Sequence, residues 1–231
     1  MKNLAIIPVR TGSKRVPNKN IKLFHGKPMF IHTVEHAIES NLFSKIHVST
    51  ESNEVVQICK EYGLEVDFLR PVELAEDHSD LNDVCKYVIN KYNNDGLKFN
   101  NFCLLWATAP LRNTEDIINA YRMLDSNFDA VVGVSSYDLP VSCAQKISDD
   151  GILEKIFPEE FWLSSKDIPK RVCDNGSLCW TKISIFEKVG NWLPNKSKGY
   201  EMPKERSVDI DTYFDWALAE FLYEKNLENN E

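Results

Sequence analysis

Six basic residues stand close together near the start of the chain, in a window with no acidic residue before Glu35. They are Arg10, Lys14, Arg15, Lys19, Lys22 and Lys27. Because the whole chain has a formal net charge of −8, this local excess of positive charge runs against the background. Gly12 lets backbone N–H groups approach a phosphate closely, and Ser13 adds a hydroxyl donor. The pattern favours an anion site over the alternative, a solvated basic loop.

A second group of residues that could do chemistry lies far down the chain, at Asp209 and Asp211. Alternate residues of an extended segment point to the same side, so these two carboxylates would face one way. Two carboxylates on one side suit a Mg²⁺ ion that keeps several waters and shares phosphate oxygens. The alternative is a polar strand edge in which Asp211 or Thr212 caps the helix that follows.

The elements that must position these residues alternate along the chain. An apolar run at residues 4–7 predicts a buried first strand, and the carboxyl end of such a strand is where an α/β sheet usually binds anions. Further strands are predicted at residues 46–49, 66–69, 102–106 and 130–134, and helices at 28–40, 54–62, from a cap at Asp80 or Asn82 to 93, and from 114. This rhythm predicts an α/β fold with a doubly wound, mostly parallel sheet and helices on both faces.

The rhythm breaks after residue 137. Residues 145–147 and 152–156 flank Asp149-Asp150-Gly151, which predicts a β-hairpin. We expect residues 138–172 to form a small protruding arm on a single domain that spans residues 1–231. Such an arm often pairs two copies of a chain, so we expect a homodimer; the alternative is a plain surface excursion.

The last predicted elements are a strand at residues 177–183 and a closing helix at 213–223. The apolar face of this helix is predicted from the spacing of Phe214, Ala217, Leu218 and Phe221.

Composition limits the kind of protein. A length of 231 residues and a hydrophobic content of 43% are ordinary for one globular domain. No apolar run could span a membrane and no basic-then-apolar leader precedes the first strand, so we expect no membrane partner and a cytoplasmic location. The acidic balance disfavours nucleic acid as a partner.

Two sets of possible metal ligands are weak. The six cysteines form no Cys-x-x-Cys pair and are expected to be reduced, mostly packed thiols. In the helix predicted at 28–40, the inner face is formed by Phe30, Val34, Ala37 and Ile38. His32 and His36 lie one predicted helical turn apart on the opposite face, but the sequence offers no clear third ligand. The known phosphate patterns Gly-x-Gly-x-x-Gly and Gly-x-x-x-x-Gly-Lys-Ser/Thr do not follow the first strand, and Gly-x-Ser-x-Gly is absent from the sequence.

Residues 7–20, with the sequence IPVRTGSKRVPNKN, resemble the signature of the acylneuraminate cytidylyltransferases, also called CMP-sialic acid synthetases. The similarity extends along most of the chain. Its further motifs are VSTE at 48–51, LRPVELA at 69–75, TAPLR at 108–112, and DIDT at 209–212 followed by Asp215-Trp216. The first motif is quite specific, and the others gain their weight together.

The resemblance implies that the anomeric hydroxyl of a nine-carbon 2-keto sugar acid attacks the α-phosphate of CTP, and that pyrophosphate leaves. It implies a Rossmann-like nucleotidyltransferase sheet and a Mg²⁺ cofactor held by Asp209 and Asp211. Carried over residue by residue, it assigns nucleotide binding to Arg10, Ser13, Lys14, Lys19 and Asn20; sugar binding to Thr108, Arg112, Asn175 and Gly176; and catalysis to Arg10, Lys19 and Asp211. Such a transfer needs mainly positioning and charge neutralisation, which fits these residue types.

The chain departs from the sialic acid enzymes at Trp106-Ala107, where many of them have Gln-Pro. Residues 173–180, CDNGSLCW, combine an Asn-Gly pair similar to those enzymes with a spacing that resembles the pseudaminic acid branch, as does SKD at 165–167. These features favour a modified bacterial nonulosonate as substrate. Two alternatives stay open: a sugar-1-phosphate nucleotidyltransferase of similar fold, and a non-catalytic nucleotide-binding protein.

Overall fold

The computed structural model describes residues 1–164 and 166–228 of the chain. Ser165, part of the SKD motif, therefore lies outside the described residues. The described strands are β1 (Asn3–Pro8), β2 (Leu23–Phe24), β3 (Lys27–Pro28), β4 (Lys45–Ser49), β5 (Asn101–Leu105), β6 (Ala130–Ser136), β7 (Gln145–Ile147), β8 (Leu153–Lys155), β9 (Val172–Lys182) and β10 (Ser197–Glu201). The α-helices are α1 (Met29–Glu39), α2 (Asn53–Glu61), α3 (Leu81–Asn94), α4 (Thr114–Arg122), α5 (Ile183–Val189) and α6 (Tyr213–Glu228).

The main sheet of the described residues has six strands in the order β10-β6-β9-β5-β1-β4. β1 pairs in parallel with β4 and β5, and β6 pairs in parallel with β10. β9 lies antiparallel between β5 and β6, and its pairing with β6 is irregular near Val132 and Val134. The predicted mostly parallel α/β sheet is therefore confirmed, with one reversed strand in its centre.

Alternate side chains of β1 enter the two halves of the core. Ala5 and Ile7 pack with α1, α2 and α4, whereas Leu4 and Ile6 pack with α3 and α5. Strands that are buried on both faces read as continuous apolar runs, which is why residues 4–7 could be identified from the sequence. Helices cover both faces of the sheet, as predicted.

The strand predicted at residues 66–69 is wrong. These residues have no strand structure, and one backbone bond, from Arg70 N to Thr50 O at 2.8 Å, ties the end of the segment to the loop after β4. Side chains hold the segment instead of a ladder: Asp67 accepts from Tyr92 Oη at 2.6 Å, and the Phe68 ring stacks on His47 with centroids 4.3 Å apart. A short apolar run in the sequence does not distinguish a strand from a segment that is held only by its side chains.

The helix predicted at 28–40 is α1, but its faces differ from the prediction. Ile38, expected inside, is exposed. His32, expected on the outer face, is buried, with its Nε2 2.9 Å from Phe24 O. Within the described part of the chain, no cluster of three His, Cys, Asp or Glu residues could hold a metal ion, so the structure adds no third ligand to His32 and His36.

The face predicted for the closing helix is also wrong. Phe214 is 77% exposed and Phe221 is 55% exposed, whereas Trp216 and Ala219 are buried. Trp216 packs edge-on against Phe24 of β2, with centroids 5.6 Å apart, and this contact sets the rotation of α6. Because α6 carries apolar residues on more than one side, its periodicity could not select the buried one.

The hairpin prediction is confirmed by β7 and β8, which pair antiparallel outside the main sheet. Helix α5 and strand β10 were not predicted from the sequence; β10 has the polar sequence SKGYE and lies at the edge of the sheet. All six cysteines are free, and four are buried, as expected for packed thiols. Among the described residues, no helix is both long and apolar enough to cross a membrane.

Candidate active site

A cavity of about 670 Å³ opens at the carboxyl ends of β1 and β5. Four segments line it: the basic loop (residues 10–20) after β1, residues 70–84 before and in α3, the loop after β5, and the acidic segment (residues 209–211) before α6. The lining residues are Pro8, Arg10, Ser13, Lys14, Arg15, Lys19, Asn20, Arg70, Leu74, Glu76, Asp77, Ser79, Leu81, Val84, Trp106, Ala107, Thr108, Asp209 and Asp211.

The basic loop is closed on itself by Asn20, whose Nδ2 donates to Arg10 O at 2.8 Å. Its tight turns are held by backbone bonds from Lys19 N to Val16 O and from Ser13 N to Thr11 O. Val16 is fully buried and anchors the loop in a small apolar cluster with α6. The residues predicted to bind nucleotide all line the cavity: Arg10, Ser13, Lys14, Lys19 and Asn20.

Asp77 pairs with two of these five residues. Its Oδ1 lies 2.7 Å from Arg10 Nη1 and its Oδ2 lies 2.5 Å from Lys14 Nζ. Hydrogen bonds from the two cations lower the pKa of Asp77 from its ordinary value, and the bond from Lys14 has the larger effect. Sequence reasoning missed this residue, because one acid in a polar loop carries no pattern.

Asp211 receives two further cations of the basic loop. Arg15 Nη1 lies 2.7 Å from Oδ2, and Lys19 Nζ lies 3.3 Å from Oδ1 and also donates to Ile210 O. The Lys19 side chain is 13% exposed, so its charge is largely removed from water and directed at the cavity. Arg15 was counted in the basic window but was not predicted as a site residue.

Asp209 lies beside Asp211 in the cavity wall, and the pKa of Asp209 is raised by loss of surrounding water and then by the charge of Asp211. The side chain of Asp211 does not cap α6. Thr212 Oγ1 accepts from Asp215 N at 3.3 Å, and Asp215 Oδ2 accepts from Thr212 N at 2.7 Å. This reciprocal pair satisfies the helix start, so neither Asp209 nor Asp211 is needed as a side-chain cap; Asp211 is paired instead with Arg15 and Lys19.

Glu51 fixes the base of the site. Its Oε1 accepts from the N–H and hydroxyl of Thr11, both at 2.9 Å, and its Oε2 accepts from Arg70 at 3.1 Å. These donors lower the pKa of Glu51 although burial opposes them. Arg70 is buried and lines the cavity, and sequence analysis assigned it no role.

Of the four residues predicted to bind sugar, the fold brings only some to the cavity or next to it. Thr108 lines the cavity, whereas Asn175 and Gly176 are not among its lining residues. Gly176, at φ +59°, places its backbone so close to Asp209 that an added Cβ would be 3.6 Å from the carboxyl carbon. Next to it, Asn175 is buried, and neither its Oδ1 nor its Nδ2 has a hydrogen-bond partner among the described residues.

Arg112 does not line this cavity. Its guanidinium is fully buried, where it donates to Ser177 O at 2.5 Å and to Thr33 Oγ1 at 2.8 Å. Burial lowers the pKa of Arg112 to about 10, still far above neutral pH. Ser177 O also accepts from Trp106 N, so Arg112 braces the middle of β9 against the end of β5 from inside.

Comparison with known proteins agrees with the architecture. The solved structure of CMP:2-keto-3-deoxy-manno-octonic acid synthetase complexed with CTP is 15% identical, with a TM-score of 0.72 over 98% of this chain and 100% of that one. This likeness shows that the two chains share a fold, a mostly parallel central sheet with helices on both faces.

Sequence similarity identifies the family. A CMP-N,N′-diacetyllegionaminic acid synthase from Legionella pneumophila is 34% identical, and a pseudaminic acid cytidylyltransferase from Campylobacter jejuni is 29% identical, each over 99% of both chains. Residues 4–157 match the family described as cytidylyltransferase. The chain belongs to the cytidylyltransferase family.

Proposed function

We propose that this chain transfers CMP from CTP to the anomeric hydroxyl of a nine-carbon 2-keto sugar acid and releases pyrophosphate. The observation that carries the proposal is the shared cavity, in which the basic loop faces the acidic segment across the end of the sheet. Cations that line a partly enclosed cavity stabilise the charge that moves between phosphates during such a transfer.

Three cations of the loop, and Asn20, have a part in this proposal. Arg10 and Lys14 lie together on one side, where they hold the outer phosphates. Lys19, which is directed at the acidic segment, stabilises charge at the α-phosphate. Asn20 keeps the loop in shape through Arg10 O, and its buried Oδ1, which has no partner within the described ranges, is free to accept from the ribose.

Asp209 and Asp211 fit a Mg²⁺ ion. Both offer hard carboxylate oxygens. Burial and, after it, the charge of Asp211 raise the pKa of Asp209, and a cation would relieve the repulsion between the two carboxylates. When bound, Mg²⁺ would neutralise phosphate charge. Two protein carboxylates are few ligands, which suits an ion that completes its shell with water and substrate phosphate.

The sugar acid is proposed to lie beyond the α-phosphate, against Thr108 and the Asn175-Gly176 pair. Asn175 does not itself line the cavity, but its buried amide has no hydrogen-bond partner within the described ranges, and such groups favour a polar ligand. The pseudaminic and legionaminic names of the two relatives agree with the sequence features that favour a modified bacterial nonulosonate. Arg112 acts from behind by holding Ser177 O.

A homodimer is proposed as the working unit, with the arm (residues 138–172) as the contact between copies. The arm exposes several large apolar side chains, among them Ile147 at 71% and Trp162 at 80%, which a monomer would leave in water. Light scattering at assay concentration checks this. A monomer with full activity would refute it. The cytoplasmic location stays a prediction.

Nucleotide choice tests the proposed function against a sugar-1-phosphate nucleotidyltransferase. Pyrophosphate release with a nonulosonic acid is expected with CTP and only weakly with UTP, GTP or dTTP. Efficient release with UTP or dTTP and a sugar 1-phosphate would support the alternative class.

A further inference from the structure

Asp77 occupies the place of an anion between two phosphate-binding cations. Its two oxygens are divided between Arg10 at 2.7 Å and Lys14 at 2.5 Å, the arrangement that a bridging phosphate would adopt with the same groups. The lowered pKa of Asp77 agrees with a carboxylate that stays ionised between them.

The segment that carries Asp77 is fixed at both ends and exposed between them. Arg70 is held by Thr50 O and Glu51 at one end. At the other end Asp80 caps α3 by accepting from Asn82 N at 2.8 Å. A carboxylate on such a segment can leave the cations without unfolding the core.

Asp77 and a bound triphosphate cannot both use these cations at full strength. A carboxylate left beside a phosphate would repel it, and a cation shared between two anions gives each a weaker contact. An anion that enters must therefore displace Asp77, and Asp77 competes again once the reaction is complete.

We infer that Asp77 is an internal competitor for the phosphate subsite, which weakens binding of the triphosphate and helps to displace the pyrophosphate product. The inference rests on the proposed function for the identity of these two anions. It adds to that function a residue that sets how tightly the leaving product is held.

Binding of inorganic pyrophosphate, measured by calorimetry, tests this role without turnover. Asp77→Asn keeps the shape but removes the charge, and we expect it to bind pyrophosphate about three to ten times more tightly, because two exposed ion pairs no longer compete. Asp77→Glu, which restores the carboxylate, should return affinity toward that of the parent.

Glu73→Gln is the matched control, because the substitution removes the same charge from the same segment and Glu73 does not line the cavity. It should leave pyrophosphate affinity unchanged. An unchanged or weaker affinity in Asp77→Asn, or an equal gain in Glu73→Gln, would overturn the inference. If Asp77→Asn binds pyrophosphate more tightly while the parent forms no CMP-sugar, the proposed function fails and the competitor role stands.

Discussion

The ammonium of Lys19 lies 3.3 Å from the carboxylate of Asp211, although 192 positions separate them in the chain. Lys19 leaves the basic loop after β1, and Asp211 precedes the last helix. The two motifs identified separately in the sequence therefore face each other across one cavity. Lys19 and Asp211 each neutralise part of the other's charge.

Substitution of Lys19 should mainly lower the turnover rate. Lys19→Ala removes a cation directed at the acidic segment, and one preorganised contact of this kind is worth about a hundredfold or more in rate. Lys22→Ala is the control, because Lys22 lies over the rings of Tyr213 and Trp216, outside the cavity lining. Initial rates of both variants decide the matter: a folded Lys19→Ala near the parent rate would show that the loop assignment is wrong.

Replacement of either aspartate of the acidic segment should raise the magnesium requirement. Asp209→Asn and Asp211→Asn preserve shape but remove a charge, so turnover at limiting Mg²⁺ should fall steeply while melting in its absence changes little. Thr212→Ala is the contrasting variant: it removes a helix cap and should lower stability by about 1 kcal/mol, with an unchanged magnesium requirement. Full activity of both Asn variants at limiting Mg²⁺ would rule out the metal site.

We expect substitution of Arg112 to lower the free energy of unfolding rather than to act directly on sugar binding. Arg112→Ala deletes a fully buried guanidinium and two charge-assisted bonds, which should cost about 3 kcal/mol or more in the free energy of unfolding. The exposed Arg122, which donates to Asn119, is the matched control, and Arg122→Ala should be close to neutral. Denaturant unfolding measures both. A stable Arg112→Ala variant with only a raised KM for the sugar acid would instead indicate direct contact.

His47 should make stability fall in mild acid. Burial lowers its pKa to about 4 from an ordinary 6.5, so between these values the unfolded chain binds a proton that the folded chain does not. The free energy of unfolding should therefore decrease as pH drops from 6.5 toward 4, by at most about 1.4 kcal/mol per pH unit for this group. His47→Phe, which can keep the stack on Phe68, should flatten that slope. His36, with a pKa of about 3, would account for part of what remains.

The sequence contained the parts of the site whose residue types form a local pattern. The basic loop and the alternating aspartates could be predicted because each is concentrated in a few positions, and the buried first strand that positions the loop is apolar throughout. Asp77 and Arg70 could not be predicted, because their roles come from distant contacts. Asp77 contacts Arg10, which is 67 positions away, and Arg70 contacts Glu51, which is 19 positions away. The same limit explains the rotation of α6, which depends on Phe24 rather than on the helix itself.

Arg112 illustrates a different limit. Its motif was identified correctly as part of the family resemblance, but the motif does not reveal whether a side chain points at the ligand or behind it. Only the position of Ser177 O and Thr33 Oγ1 distinguishes a brace from a contact. Residue type predicts the chemistry available at a site, whereas the fold decides which residues can use it.

A pyrophosphate-release assay with CTP, Mg²⁺ and a panel of nonulosonic acids tests the proposed CMP transfer most directly. We expect release, with formation of a CMP-sugar, for at least one acid, and faster release with pseudaminic or legionaminic acid than with N-acetylneuraminic acid. No release with any 2-keto sugar acid, from protein that is folded and binds CTP, would contradict it.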